Sequence, residues 1–300
     1  MNLSYPGWRL RVRHFYGLIL KSPCVIGLLL VALSSSSGAD DKTLGVSPWT
    51  SGQLLQAWMA PVLSQVEQGT GDDYHFESAS SLNEYLVKAA QGEFDLVMIP
   101  MHMGLFLIEY FDFNPLVFVR SDVNVMLVTH AGTDYHQLSD LNGATISMSD
   151  PIAITGFLTE DLLDGANLVY EKRYSGHHWK LTDGLVKRAI SVAPIVSNHY
   201  EQRSNTASKK LRVLHRFPQH LDGIMVLPSS AKPADVKRMQ AVLSAFKPAP
   251  TSMIKGMDSV TREELKIWRG WMSQYFPRMK QRLLELHPDF AKKARWAQPE

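Results

Sequence analysis

The stretch "DPIAITGF", residues 150–157, offers the clearest chemistry in this chain. An alternating apolar run ends at an Asp-Pro turn, and the amphipathic run "FLTEDLL" follows at once. Such a turn aims the first N–H groups of a helix, and the positive end of its dipole, at whatever lies in front of it. That suits an anion or a polar head group. Of the four residues between Pro151 and Gly156, Thr155 alone adds a side-chain donor. A second constellation, Met101-His102-Met103 with His177-His178, contains the thioether and imidazole groups that suit Cu(I). Methionine also fills gaps in cores and adaptable pockets, so the run reads first as pocket lining. His178 taken alone reads as a structural histidine. Catalysis has weaker support. G-x-S-x-G and H-E-x-x-H are absent, and Thr155 with His178 lacks the orienting acid of a triad. No enzyme, no bound metal and no cofactor is expected.

The 300 residues are 45% hydrophobic and 20% charged, enough to bury a core in one large domain or two ordinary ones. The start differs from the rest. Arg9, Arg11 and Arg13 precede the apolar run "CVIGLLLVAL", and "SSSSGAD" follows. This is the pattern of a secretory signal peptide, with Ser37 and Ala39 as the small residues before cleavage after Ala39. An uncleaved anchor is the alternative, but the apolar run is short for a span. Cleavage would remove Cys24, the sole cysteine, so the exported chain would rely on its core and not on a disulfide. It would also remove four basic residues, leaving 27 basic side chains against 29 acidic, a net charge of −2. No basic surplus then points to nucleic acid. No later segment is long and apolar enough to cross a membrane.

The turn at Asp150 needs a framework, and the pattern supplies one. "TLGVSPWTSG" reads as a buried strand and turn, and "QLLQAWMAPVLSQVEQ" as a helix that Pro61 kinks or divides. A strand at "YHFESAS", a helix through "SLNEYLVKAA", a stop at Gly92 and a strand over Phe94–Ile99 follow. Strands and helices alternating with short connections mean parallel βαβ units. "PLVFVR", "VNVMLVTH" and "ATISM" supply further strands, Gly165 stops the helix after the turn, and the chain ends in helices. Thr261 with Glu264 fits a capping box. Trp268, Trp271, Met272 and Tyr275, at helical spacing, read as packing residues.

Four segments in order resemble one family. They are "LGVSPW", "LVKAAQGEFDLVMIP", "LSDLNGATISMSDPIAITGFL" and "YSGHHWKLTDGLVKRAISVAPIVSNHYE". Together they are similar to the substrate-binding proteins of phosphonate, phosphite and phosphate ABC importers, within the type II periplasmic binding proteins. The resemblance implies an α/β fold of two lobes, each a mostly parallel sheet flanked by helices, with ligand between them. Residues 40–128 would begin lobe 1, residues 129–212 would form lobe 2, and residues 213–300 would complete lobe 1 with C-terminal helices. The crossovers are expected near Met126–His130 and Leu211–His215, with hinge closure over the ligand.

The family holds a tetrahedral oxyanion with hydroxyls and N–H groups at the turn that this chain writes as Ile152, Ala153, Ile154 and Thr155. Three of the four have lost the hydroxyl. Trp49 stands where the family has Tyr, Met103 replaces another Tyr, and Val196 replaces an Asp. His178, Ser197 and Asn198 are kept. Trp49, Met101, His102, Met103, Ile152, Ala153, Ile154, Thr155, His178, Val196 and Ser197 form the expected ligand site, which has an apolar wall and weak affinity for phosphate. The resemblance implies a monomer in the periplasm with a small anionic or polar ligand and an ABC permease as partners. A periplasmic sensory or accessory module of the same fold, working with a membrane receptor or redox system, is the alternative.

Overall fold

The computed structural model describes residues 41–201, 209–249, 252–294 and 296, so the expected export segment at 1–39 lies outside the described residues. Strand β1 (Asp41–Val46) leads to helix α1 (Gly52–Thr70), where buried Leu55, Met59, Val62 and Val66 recur at helical spacing. The helix continues through Pro61 and ends where Gly71 takes a φ of 78°, a left-handed cap that glycine adopts without a Cβ clash. Strand β2 (Asp73–Glu77), helix α2 (Leu82–Ala90) and strand β3 (Leu96–Pro100) follow. Both β2 and β3 pair in parallel with β1. Helix α3 (Met101–Phe111) starts at the next residue. A Cβ at position 104 would stand 2.1 Å from Ile224 Cγ2, so Gly104 is what lets α3 lie so close to the sheet.

Strand β4 (Asn114–Arg120) precedes β5 (Asn124–His130), which opens a second sheet. That sheet continues with β6 (Ala144–Met148), α4 (Ile154–Gly165), β7 (Tyr170–Tyr174), α5 (His178–Val186), β8 (Val192–Val196), α6 (Ser197–Glu201) and β9 (Leu211–His220). The chain then returns through β10 (Gly223–Leu227), α7 (Pro233–Ser244) and β11 (Gly256–Ser259). Helices α8 (Arg262–Met272), α9 (Phe276–Leu286) and α10 (Pro288–Lys293) close it.

The first sheet has the order β11-β4-β10-β3-β1-β2 and the second β7-β6-β8-β5-β9. Both are mixed. The βαβ strands β1 to β3 and β6 to β8 pair in parallel, whereas the returning strands β10, β11, β5 and β9 pair antiparallel with their neighbours. The chain changes sheets at 121–123 and 221–222. The crossovers expected at Met126–His130 and Leu211–His215 fall inside β5 and β9, which belong to the second sheet along their whole length. The apolar pattern runs unbroken through those strands and carries no mark of the sheet they join.

Three apolar clusters hold this arrangement. One packs α1 and α7 on the first sheet through Leu55, Met59, Val62, Met239 and Leu243. Another packs α5 on the second sheet through Leu181, Leu185, Met126 and Ile195. The largest is shared: Val97, Ile99 and Ile224 of the first sheet join Val125, Ile146 and Phe157 of the second-sheet side. Tyr275, Met279 and Leu283 from the C-terminal helices enter the same cluster. Burial on this scale, at roughly 25 cal/mol per Å² of apolar surface, welds the two sheets along one side. Of the expected packing residues, Met272 and Tyr275 are buried, and Trp268 and Trp271 pack at the edge. The capping box forms by half: Thr261 accepts from the Glu264 N–H at 3.2 Å, but the Glu264 carboxylate goes to Arg120.

Candidate functional site

A cavity of about 130 Å³ opens where the two sheets, the two connections and the end of α8 meet. Its first wall comes from the loop after β1 and from β3 into α3: Trp49, Met98, Ile99, Met101 and His102. Trp49 is held by stacking on Trp58, ring centroids 5.1 Å apart. The opposite wall is the Asp-Pro turn and the start of α4, with Ala153, Ile154 and Thr155, joined by His178 and Val196. Arg120, Ser121, Leu221 and Asp222 line it from the connections, and Met253, Ile254 and Met272 from the C-terminal part.

Thr155 is fully buried, and its hydroxyl has no hydrogen-bond partner among the described residues. Helix α4 begins at Ala153 without a side-chain cap and with no acidic residue in its first turn. The first N–H groups of a helix lack internal partners, so this start is a place for a ligand acceptor. On the same wall, His178 is buried with Nε2 3.2 Å from Ser149 Oγ.

The charges nearby are already committed. Arg120 donates to Asp222 at 3.1 Å, to Asp258 at 2.7 Å and to Glu264. Burial works against its charge, but the hydrogen bonds to Asp258, Glu264 and Asp222 outweigh it and raise its pKa further. One cation shared by three carboxylates leaves local charge negative. His102 is kept neutral: burial pushes its pKa down to about 4, against the opposing pull of its bond to Ile152. Its Nε2 donates to the Ile152 carbonyl at 3.0 Å. Burial likewise lowers His177.

The turn itself is fixed from across the cleft. One Asp150 carboxylate oxygen accepts from the Leu82 N–H at 3.1 Å, the Asn83 N–H at 3.3 Å and Asn83 Nδ2 at 2.8 Å. The other accepts from the Ile152 N–H at 3.0 Å. Asp150 therefore caps α2, so the N-terminus of α2 is filled by the protein's own anion while that of α4 faces the cavity. Burial raises the Asp150 pKa, and these hydrogen bonds oppose it.

Eight of the expected site residues line the cavity: Trp49, Met101, His102, Ala153, Ile154, Thr155, His178 and Val196. Met103, Ile152 and Ser197 do not. Met103 turns into the shared core on the far side of α3, since successive helix residues point about a quarter-turn apart. Ile152 is buried in that core and offers its carbonyl to His102. Ser197 Oγ accepts from the Asn124 N–H at 3.0 Å, between α6 and β5. Met101 and Met103 thus diverge, and among the described residues no three or more His, Cys, Asp or Glu side chains are grouped to hold a metal. Sequence reasoning missed Arg120, Asp222 and Met272. A charged residue at the end of an apolar strand was the available signal for Arg120, and nothing local marked its partners.

A family profile described as "ABC transporter, phosphonate, periplasmic substrate-binding protein" matches residues 44–271. Among curated proteins none matches. Among solved structures, the chain is similar to a binding-protein component of an ABC phosphonate transporter from Pseudomonas aeruginosa, with a TM-score of 0.67 and 11% identity, over 85% of this chain and 96% of that one. PhnD1 from Prochlorococcus marinus in complex with methylphosphonate gives a TM-score of 0.67 and 11% identity, over 79% of this chain and 98% of that one. The alkanesulfonate-binding protein SsuA from Xanthomonas axonopodis pv. citri, bound to MOPS, gives 0.55 and 13%, over 79% and 93%. At such identities the likeness carries the fold.

Proposed function

Because the chain belongs to the family of periplasmic substrate-binding proteins of phosphonate ABC transporters, we propose that it holds a small ligand in the cavity at Thr155 for delivery to an importer permease, and that this ligand carries at most one negative charge. The unpartnered, fully buried Thr155 hydroxyl at the uncapped start of α4 carries this reading. One acceptor atom of the ligand would take the hydroxyl and the first N–H groups of α4. The ligand's apolar body would pack on Trp49, Met98, Met101 and Val196, as small-molecule pockets commonly arrange it. A dianion would meet Asp222 and a guanidinium already shared by three carboxylates. Taking a second charge out of water without a partner is costly, which argues against a phosphonate dianion.

The test is a series with one body and different heads: butanamide, butyrate, propanesulfonate and propylphosphonate, each titrated by thermal shift and calorimetry at about pH 9.5, where the phosphonate is a dianion. The reading expects the tightest binding, and the largest rise in melting temperature, from a neutral or singly charged head. Tightest binding by propylphosphonate would overturn it.

A further inference from the structure

The turn that faces the cavity is gripped residue by residue from the other side of the molecule. Asp150 accepts from the start of α2, at Leu82 and Asn83. The Pro151 carbonyl accepts from Arg282 of α9. The Ile152 carbonyl accepts from His102 of α3. None of these partners lies on the second sheet or its helices. Asn83 is itself fixed, its Oδ1 2.7 Å from His287 Nε2 at the end of α9.

The C-terminal helices reinforce the grip. They lie on α3, where Phe106 meets Phe276 at 5.5 Å and Arg269 pairs with Glu109 at 2.6 Å. From there α9 reaches α4. Arg282 bonds both oxygens of the buried Glu160, at 2.6 and 2.7 Å, and Arg278 pairs with Asp161 at 2.7 Å. Phe157 of α4 stacks on Tyr275 with centroids 5.3 Å apart. At the connections, Arg120 joins Asp222 to Glu264 of α8. The C-terminal helices thus touch the first-sheet side, the connections and the second-sheet side at once.

We propose that Asp150, His102 and Arg282 form a clasp of positioning residues that holds the two sheets closed around the cavity before any ligand arrives. In a hinged receptor the ligand itself bridges the two sides and stabilises closure. Here the chain bridges itself. The ligand would enter a preformed cavity, losing little freedom in the protein on binding, and its exchange would wait on release of the clasp. The functional meaning rests on the cavity being the ligand site, but the clasp can be tested with no ligand present.

Small-angle scattering of the ligand-free protein lacking residues 1–39 is expected to follow the profile of the closed structure. Hydrogen exchange on the same sample should show the Leu82 and Ile152 amides, both donated to Asp150, protected. In Asn83→Ala combined with Arg282→Ala, their exchange should speed up at least tenfold relative to β6 amides, and the radius of gyration should grow. An open scattering profile for the ligand-free parent overturns the proposal, and that result needs no variant to fold. Unchanged exchange at Leu82 and Ile152 in a folded double variant overturns it too. Failure of every head in the butyl and propyl series would count against the ligand reading alone and leave these results standing.

Discussion

Asp150 and Asn83, 67 residues apart in the chain, meet with 2.8 Å between carboxylate and side-chain amide. The contact joins the turn after β6 to the first turn of α2, and so joins the two sheets beside the cavity. The cavity wall is set by the protein's own hydrogen bonds. Function then depends on what the remaining unpartnered groups can accept.

Thr155→Val should weaken binding of a ligand found in the head-group series by about 1–3 kcal/mol, because a buried ligand atom loses its partner. The change conserves shape and leaves no protein group unsatisfied, so the melting temperature should hold. Calorimetry and thermal denaturation read the two effects separately.

Trp49 lines the cavity and stacks on Trp58. Ligand entry should displace water from its face and change tryptophan fluorescence. The change should vanish in Trp49→Phe. A full signal in that variant would assign the response to another tryptophan.

His102 predicts a pH dependence. Its pKa falls from 6.5 to about 4 on folding, so the native state takes up fewer protons than the unfolded chain between those values. Its contribution is fully present above pH 6.5 and is lost as pH falls, by about 3 kcal/mol at pH 4. Burial raises Asp150, which has the opposite sign at lower pH. The readout is therefore the difference between the parent and His102→Gln in urea unfolding across pH 4–7. The parent should lose more stability than the variant.

Arg282→Ala leaves Glu160, 3% exposed, with Lys172 and Arg278 as partners. The cost should approach about 3 kcal/mol, the low end for breaking a buried pair. Arg269→Ala removes an exposed partner of Glu109 and should cost less than about 1 kcal/mol. Denaturant unfolding of both variants decides.

Much of the fold could be read locally. The βαβ order followed from apolar periodicity, and the Asp-Pro turn before Thr155 from side-chain types alone. Thr261 also gave its helix start correctly, since an N-cap bond spans three residues. Glu264 shows the limit, because its carboxylate leaves the box for Arg120, 144 residues away. The same holds for Asp150, which looks like an ordinary turn residue until α2 is brought to it. Met103 was misleading for a different reason: adjacent residues on one helix face different surroundings, and only packing against Ile224 and the core fixes which faces in. Charge neutralisation at Arg120 comes from three separate elements, and no local pattern encodes it.

Residues 1–39 carry the signal-peptide pattern, and export is part of the account. Mass spectrometry of the protein from its native host should find a chain beginning near Asp40. Intact residues 1–39 in the membrane fraction would replace cleavage with anchoring.

The central claim, that the cavity at Thr155 takes a ligand with at most one negative charge, is tested most directly by titrating the protein lacking residues 1–39 with inorganic phosphate at pH 8 in a calorimeter. The account predicts a Kd weaker than roughly 10 µM, since several charge-assisted hydrogen bonds are missing. A sub-micromolar Kd that Thr155→Val weakens would contradict it, because a dianion would then be bound tightly at this very turn.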